Sequence, residues 1–318
     1  VADEPAKPLR AGIIGLDTSH APAFAALLNG PKAVGDLAGV RIVAAYPGGS
    51  ADIPSSRDRV AGYTSTLRDK HGVEIVDSIE ALLDKVDVVF LESVDGRPHL
   101  DQVRPVFAAK KPVFIDKPVA GTLADALAIF DLAKQTGTPV FSSSSLRFAP
   151  DTLAARAGKF GPVAGCDAYS PCALEEHHPD LYWYGVHGVE TLFTIMGPGC
   201  EKVSRTTSPN TDVAVGVWKD GRIGTFRGVR EGTPHGYGAT VFGAKKIVQA
   251  GEYKGYQPLV EEIVKFFKTG KAPVSPEETI EIFAFMEAAD ESKRQEGRPV
   301  TLESVLARAR AEVASRGK

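Results

Sequence analysis

The amino-acid sequence predicts an α/β protein in two parts. A doubly wound parallel sheet fills residues 1–150, and an α+β domain with a mainly antiparallel open sheet fills residues 151–318. Three observations predict this. Short, wholly apolar Val/Ile/Phe runs alternate with amphipathic helical patterns through the first half, as expected of parallel strands covered on both faces. After about residue 150 the β-like runs come in pairs around Gly-rich turns. Helices then return near the C-terminus, where they are free to pack back on the first domain.

In chain order, "LRAGIIGL" reads as a buried strand and "APAFAALLN" as the helix after it. "VRIVAAY", "VDVVFLES" and "KPVFID" are further strands, and "TPVFSSSS" closes the series. The helix "TLADALAIFDLAKQTG" before it ends at Gly137, a residue suited to the left-handed position that terminates helices. Doubly wound sheets bind ligands outside the carboxyl ends of their strands, so residues 15–20, 46–50, 92–99 and 116–118 are expected to face one crevice. In the second part, Asp220-Gly221 inside "TDVAVGVWKDGRIGTFRGVR" signals a tight hairpin. "GYGATVFGAKKIVQA" continues the β pattern, and "QPLVEEIVKFFKTG" is a helix. The helix that follows carries Ser275 as N-cap, Pro276 in its first position and Glu278 completing a capping box.

Composition narrows the function classes. A net charge of −3 gives no electrostatic case for nucleic acid or an anionic membrane surface. No apolar run approaches the ~20 residues of a membrane span. Cys166, Cys172 and Cys200 show no CxxC spacing, which argues for isolated buried thiols over a zinc ribbon or redox dithiol. The opening "VADEPAKP" is read either as the stub left by signal-peptide removal or as a frayed cytoplasmic terminus. Both cytoplasmic and exported locations stay open on that ground.

The turn after the first strand, "GLDTSH", departs from a dinucleotide fingerprint. Such a loop uses glycines to approach the pyrophosphate and to pack helix on strand. Only Gly15 is present; Asp17 and His20 stand in the other two places. A carboxylate there repels a pyrophosphate. Asp17, Thr18 and Ser19 suit helix capping, and Asp17 with His20 could instead face the crevice toward a polar substrate or a metal. The second strand ends in Tyr46-Pro47-Gly48-Gly49-Ser50 without the usual ribose-binding acid. With Arg57 and Arg59 following, that loop reads as a 2′-phosphate site favouring NADP or as an ordinary turn.

Asp116-Lys117-Pro118 ends a buried strand at the crevice. Together with "VDVVFLES", "RPHL" and "LRFAP", it resembles the Gfo/Idh/MocA oxidoreductases, a family named for glucose–fructose oxidoreductase and inositol dehydrogenase. The resemblance is clear over residues 9 to 150 and general beyond. It implies a Rossmann-like first domain, NAD or NADP as cofactor, a sugar or polyol substrate and a homo-oligomer. It also implies contacts to the dinucleotide from Gly15, Asp17, Thr18, Ser19, His20, Ser50, Glu92, Asp116 and Pro118. A second family signature, Asp-x-Gly-x-His-x-x-Asp, matches "WYGVHGVE": Gly185 and His187 are kept, Glu190 stands for the last Asp, and Trp183 replaces the first. Lys117 and His187 thereby carry over as the proton-transfer residues. Arg147, His178, Trp183, Tyr184 and Glu190 are the expected substrate contacts.

The residue types suit these roles. A Lys desolvated at a strand end loses proton affinity and serves as acid or base, and a His titrates near neutrality. His187 and Glu190 share one helical face. The neighbouring "CALEEHHPDLYW" is dense in potential ligands, so His177, His178, His187 and Glu190 are the candidates for a divalent metal; a solvated acidic loop is the simpler reading. The sequence thus leaves three functions in order: an NAD(P)-dependent oxidoreductase of a sugar or polyol; a non-dinucleotide, metal-assisted carbohydrate lyase, hydrolase or isomerase; and a non-catalytic sugar-binding protein.

Overall fold

The computed structural model describes residues 7–31, 33–231 and 236–316; most of the "VADEPAKP" segment lies outside them. The chain divides into two compact units. One contains the chain up to Ala120, Ala128–Ser142 and Tyr256–Val274; the other contains Gly121–Leu127, Ser143–Gly255 and Ser275 onward.

The N-terminal elements are β1 (Leu9–Ile14), α1 (His20–Asn29), β2 (Val40–Tyr46), α2 (Pro54–His71), β3 (Glu74–Ile75), α3 (Ile79–Leu83), β4 (Val88–Leu91), α4 (His99–Ala108), β5 (Val113–Ile115), α5 (Leu123–Thr136) and β6 (Val140–Ser142). The six strands form one parallel sheet in the order β3-β2-β1-β4-β5-β6. β4, β5 and β6 are buried along their whole length, which is why they read as continuous apolar runs rather than alternating ones. Register aligns the strand ends: Ile14 pairs with Tyr46 and Leu91, and Leu91 pairs with Ile115. Gly15, Pro47, Glu92 and Asp116 therefore leave the sheet side by side at its carboxyl edge. Phe24, Phe90 and Phe114 pack edge-on in series beneath it, and each such burial contributes roughly 1.5–3 kcal/mol.

The second unit holds α6 (Pro150–Arg156), β7 (Val163–Pro171), α7 (Val186–Met196), β8 (Cys200–Ser208), β9 (Thr211–Trp218), β10 (Ile223–Val229), β11 (Gly238–Gly243) and β12 (Ile247–Ala250). The chain then contributes α8 (Gln257–Thr269) to the first unit, where Phe267 meets Phe90 and Phe266 meets Phe141. α9 (Pro276–Arg294), β13 (Val300–Thr301) and α10 (Leu302–Arg316) complete the second unit. Its sheet runs β12-β11-β7-β10-β9-β8-β13, antiparallel except where β10 lies parallel to β7. The hairpin expected at Asp220-Gly221 joins β9 to β10. The Ser275 hydroxyl accepts the Glu278 N–H at the start of α9. α7 is buried at every residue and lies tight on the sheet, because a Cβ on Gly188 would stand 2.4 Å from the Phe226 ring. All three cysteines are free and buried; burial pushes the Cys172 and Cys200 thiols up to about 12.

Candidate active site

In the first unit, the loops after β1, β2 and β4 are tied to one another across the carboxyl edge of the sheet. The Gly15 N–H donates to Tyr46 O (2.9 Å) and the Leu16 N–H to Pro47 O (2.7 Å). Gly15 has φ +92°, and a Cβ there would lie 2.3 Å from the Ser93 nitrogen, so no other residue fits. The Asp17 carboxylate turns inward, accepting the Ser56 hydroxyl (2.6 Å) and the Val94 N–H (3.0 Å). It is fully buried, and burial raises its pKa against the opposing pull of those bonds. The Ser50 hydroxyl donates to Asp95 (2.6 Å), and Arg97 clamps Asp95 and Asp52 together. The expectation that Asp17 projects into the crevice is thus corrected: a buried carboxylate needs donors, and Ser56 and Val94 supply them. Ser50 is likewise held by Asp95. Arg57 is exposed and bonded to Asp58, and Arg59 is exposed beside it.

His20, Glu92 and Asp116 meet just beyond. His20 opens α1, its Nδ1 stands 2.7 Å from Asp116 Oδ2 and 3.9 Å from Glu92 Oε2, and its ring is flanked by Phe24 and Tyr256. Glu92 is fully buried, and neither of its carboxylate oxygens has a hydrogen-bond partner among the described residues. Burial, reinforced by the Asp116 charge, holds its pKa well above the usual carboxylate range. Burial works the same way on Asp116, but His20 outweighs it and the Asp116 pKa is lowered. Lys117 follows at the strand end, 8% exposed, and its ammonium favours the charged form of both acids. Pro118 and Thr18 are buried and Ser19 is exposed. Ser19 occupies the N-cap of α1 without a side-chain bond, so the capping expected of this run comes only as a long contact from the His20 N–H to the Thr18 hydroxyl (3.4 Å).

In the second unit, His187 lies in the first turn of α7 with Nδ1 2.7 Å from the Ser144 hydroxyl. Glu190, one turn on, accepts the Ser143 hydroxyl (2.6 Å), the Ser144 N–H (2.7 Å) and Arg147 Nε (2.6 Å). Arg147 reaches Glu278, which also binds Arg156. Arg147 and Glu190 were expected to touch substrate; they are buried and spent on each other, forming the support behind His187. Members of the candidate metal set, offered by the sequence beside the simpler reading of a solvated loop, have protein partners. Glu190 is consumed in this network, and His177 pairs with Glu175 (2.7 Å). His178 is buried with its ring against Trp183. Tyr184 and Tyr237 flank the His187 ring. They also line a cavity of about 720 Å³ with Leu174, Asn210 and Arg230. Sequence reasoning missed Ser56, Asp95, Ser143, Ser144, Tyr237 and Glu278. The "SSSS" run was one available signal; Glu278 was another, and its carboxylate binds Arg147 and Arg156 in place of the capping-box role expected of it.

Residues 9–144 match a family model described as an oxidoreductase family with an NAD-binding Rossmann fold. Over those residues the chain is similar to the Gfo/Idh/MocA oxidoreductases. No curated protein matches it. Among solved structures, myo-inositol 2-dehydrogenase from Lactobacillus plantarum is similar at 17% identity and TM-score 0.75, covering 93% of this chain and 99% of that one. Scyllo-inositol dehydrogenase from Lactobacillus casei, solved with NAD(H) and scyllo-inositol, is 15% identical at TM-score 0.73, covering 93% and 100%. GenD2 from gentamicin A biosynthesis, in complex with NAD, is 15% identical at TM-score 0.74, covering 94% and 97%. At these identities the likeness shows the fold. The β1 turn carries Asp17, buried against Ser56 and Val94, in a place where a dinucleotide fingerprint has glycine. No helix among the described residues is long and apolar enough to cross a membrane.

Proposed function

We propose that the chain is an oxidoreductase of a cyclic polyol or sugar hydroxyl, with Lys117 and His187 as its proton-transfer groups and NAD or NADP as its redox partner. The observation that carries this reading is Lys117. It is a nearly buried ammonium at the carboxyl end of a parallel strand, in the domain that matches a family of NAD-binding oxidoreductases. Such a group can hold a substrate oxygen and take or return its proton. His187 is held through Nδ1 by the Ser144 hydroxyl, and an imidazole so oriented suits proton exchange. The cavity beside Tyr184 and Tyr237 has the mixed aromatic and polar lining that suits a sugar ring, and the inositol dehydrogenases among the similar structures support a polyol as the substrate class. Tyr169, Ile223 and Ile247, exposed on the outer face of the second sheet, support pairing of two copies.

The closed β1 turn favours a second reading, non-redox carbohydrate chemistry by the same two residues. One experiment separates them: the protein is incubated with NAD and NADP, and each is titrated calorimetrically. A panel of inositols and aldoses is then followed by the absorbance of reduced nicotinamide. Binding with reduction supports the first reading. No binding of either dinucleotide at millimolar concentration would overturn it in favour of the second.

A further inference from the structure

Among the described residues, one group of His, Cys, Asp or Glu side chains converges closely enough to share an ion: His20, Glu92 and Asp116, whose ligand atoms lie within 4.8 Å of one another. All three are buried. They come from separate places in the sequence, the start of α1 and the ends of β4 and β5, and the parallel register brings them together at one edge. Neither Glu92 oxygen has a hydrogen-bond partner among the described residues, and nor does Asp116 Oδ1. Three acceptor atoms so placed are unusual, because a buried carboxylate without donors costs several kcal/mol. The tie to His20 uses Asp116 Oδ2 alone and leaves those three atoms without a hydrogen-bond partner among the described residues.

We propose that His20 Nδ1, Glu92 and Asp116 bind a first-row divalent cation such as Mn²⁺ or Zn²⁺. The donor set of one imidazole and two carboxylates belongs to these ions; Mg²⁺ and Ca²⁺ prefer oxygen alone. Ligand atoms each ~2.1 Å from a common centre are at most ~4.2 Å apart, so atoms already within 4.8 Å of one another need only small side-chain rotations to close around an ion. A cation would give the three unmet carboxylate oxygens the partner that a buried acceptor needs. Three protein ligands leave a position open for water or a substrate oxygen, as catalytic sites do. The metal candidates suggested by sequence spacing, His177, His178, His187 and Glu190, are replaced by a set that only the fold assembles. The proposal is independent of dinucleotide binding.

The test uses the full chain, stripped with EDTA and titrated calorimetrically with Mn²⁺ and Zn²⁺ at neutral pH, with metal content measured before stripping. One equivalent bound at about 1 µM or tighter is expected, with thermal stabilisation that grows with free metal. Glu92→Gln is nearly isosteric and removes a ligand charge. It should weaken binding by at least ~100-fold, the upper limit for outer-shell partners, while the circular dichroism spectrum stays native. If Glu92→Gln does not fold, His20→Gln carries the same readout. Glu175→Gln, which alters the His177 cluster, should leave the affinity unchanged. Binding weaker than about 1 mM, or binding unchanged in folded Glu92→Gln or His20→Gln, would overturn the proposal.

Discussion

The Ser144 hydroxyl stands 2.7 Å from Nδ1 of His187, and the same residue's N–H donates to Glu190. The imidazole is thus aimed by a hydroxyl whose backbone is itself pinned to a buried carboxylate. Arg147 and Glu278 fix that carboxylate in turn. Ser144 is a positioning residue: removing its hydroxyl frees the ring without emptying the site. Ser144→Ala should lower kcat/KM by ~10-fold and displace the limb of the pH profile that reports His187. Ser144→Thr should restore both. A purely structural role would leave the profile where it was.

The ion-pair network behind His187 gives stability a defined pH dependence. Burial pushes the Glu278 carboxyl up, but the guanidinium groups of Arg156 and Arg147 outweigh it, so its pKa lies below the ordinary 4.5. The unfolded chain therefore binds more protons than the folded one across that interval, and the stabilisation is lost as pH falls through it. Glu278→Gln leaves Arg147 facing Glu190 alone and should cost ~3–5 kcal/mol at pH 7. Urea unfolding at a series of pH values should show wild type and variant converging below about pH 4. Parallel curves down to the acid transition would remove the network from the account of stability.

The parallel sheet was legible because both faces of β4, β5 and β6 are covered, which writes strands as unbroken apolar runs. The Asp220-Gly221 turn and the Ser275 cap were legible because each is set by local backbone chemistry. The roles of Asp17, Glu190 and Arg147 were not. Their types suggested contact with a ligand, yet each is bound by partners far away in sequence: Asp17 by Ser56 and Val94, Glu190 by Ser143, Ser144 and Arg147, and Arg147 in turn by Glu190 and Glu278. Motif spacing carries no information about which of two crevice acids finds donors and which, like Glu92, does not. That is decided by strand register.

Asp17 sets whether the β1 turn admits an anionic ligand. Asp17→Gly removes a buried carboxylate along with its bonds to Ser56 and Val94, and exposes the turn's backbone. It should cost ~1–3 kcal/mol of stability by leaving the Val94 N–H unmet. It should also strengthen NAD or NADP binding by removing a buried acidic group from behind the turn. Titration of variant and wild type side by side measures this directly. Unchanged affinity for both dinucleotides would show that Asp17 is not what closes the turn to them.

Lys117 tests the proton-transfer assignment most sharply. Its ammonium neighbours Glu92 and Asp116, and its charge favours the ionised form of each. Lys117→Met keeps the length and apolar bulk of the stem and deletes only the charged end. Burial already drives Glu92 toward its neutral form, so loss of the ammonium leaves no new uncompensated carboxylate there, and His20 still holds Asp116. Folding and thermal stability should therefore stay close to wild type. Turnover on the best polyol or sugar of the panel should fall by ~10²-fold or more, the usual worth of a positioned acid or base, with a smaller change in KM. Lys117→Arg should rescue substrate binding but not turnover, because a guanidinium stays protonated at every accessible pH. Steady-state kinetics across pH, run beside melting curves, read all of these. A folded Lys117→Met with wild-type kcat would remove Lys117 from the chemistry and return it to the role of a counter-ion for its two acidic neighbours.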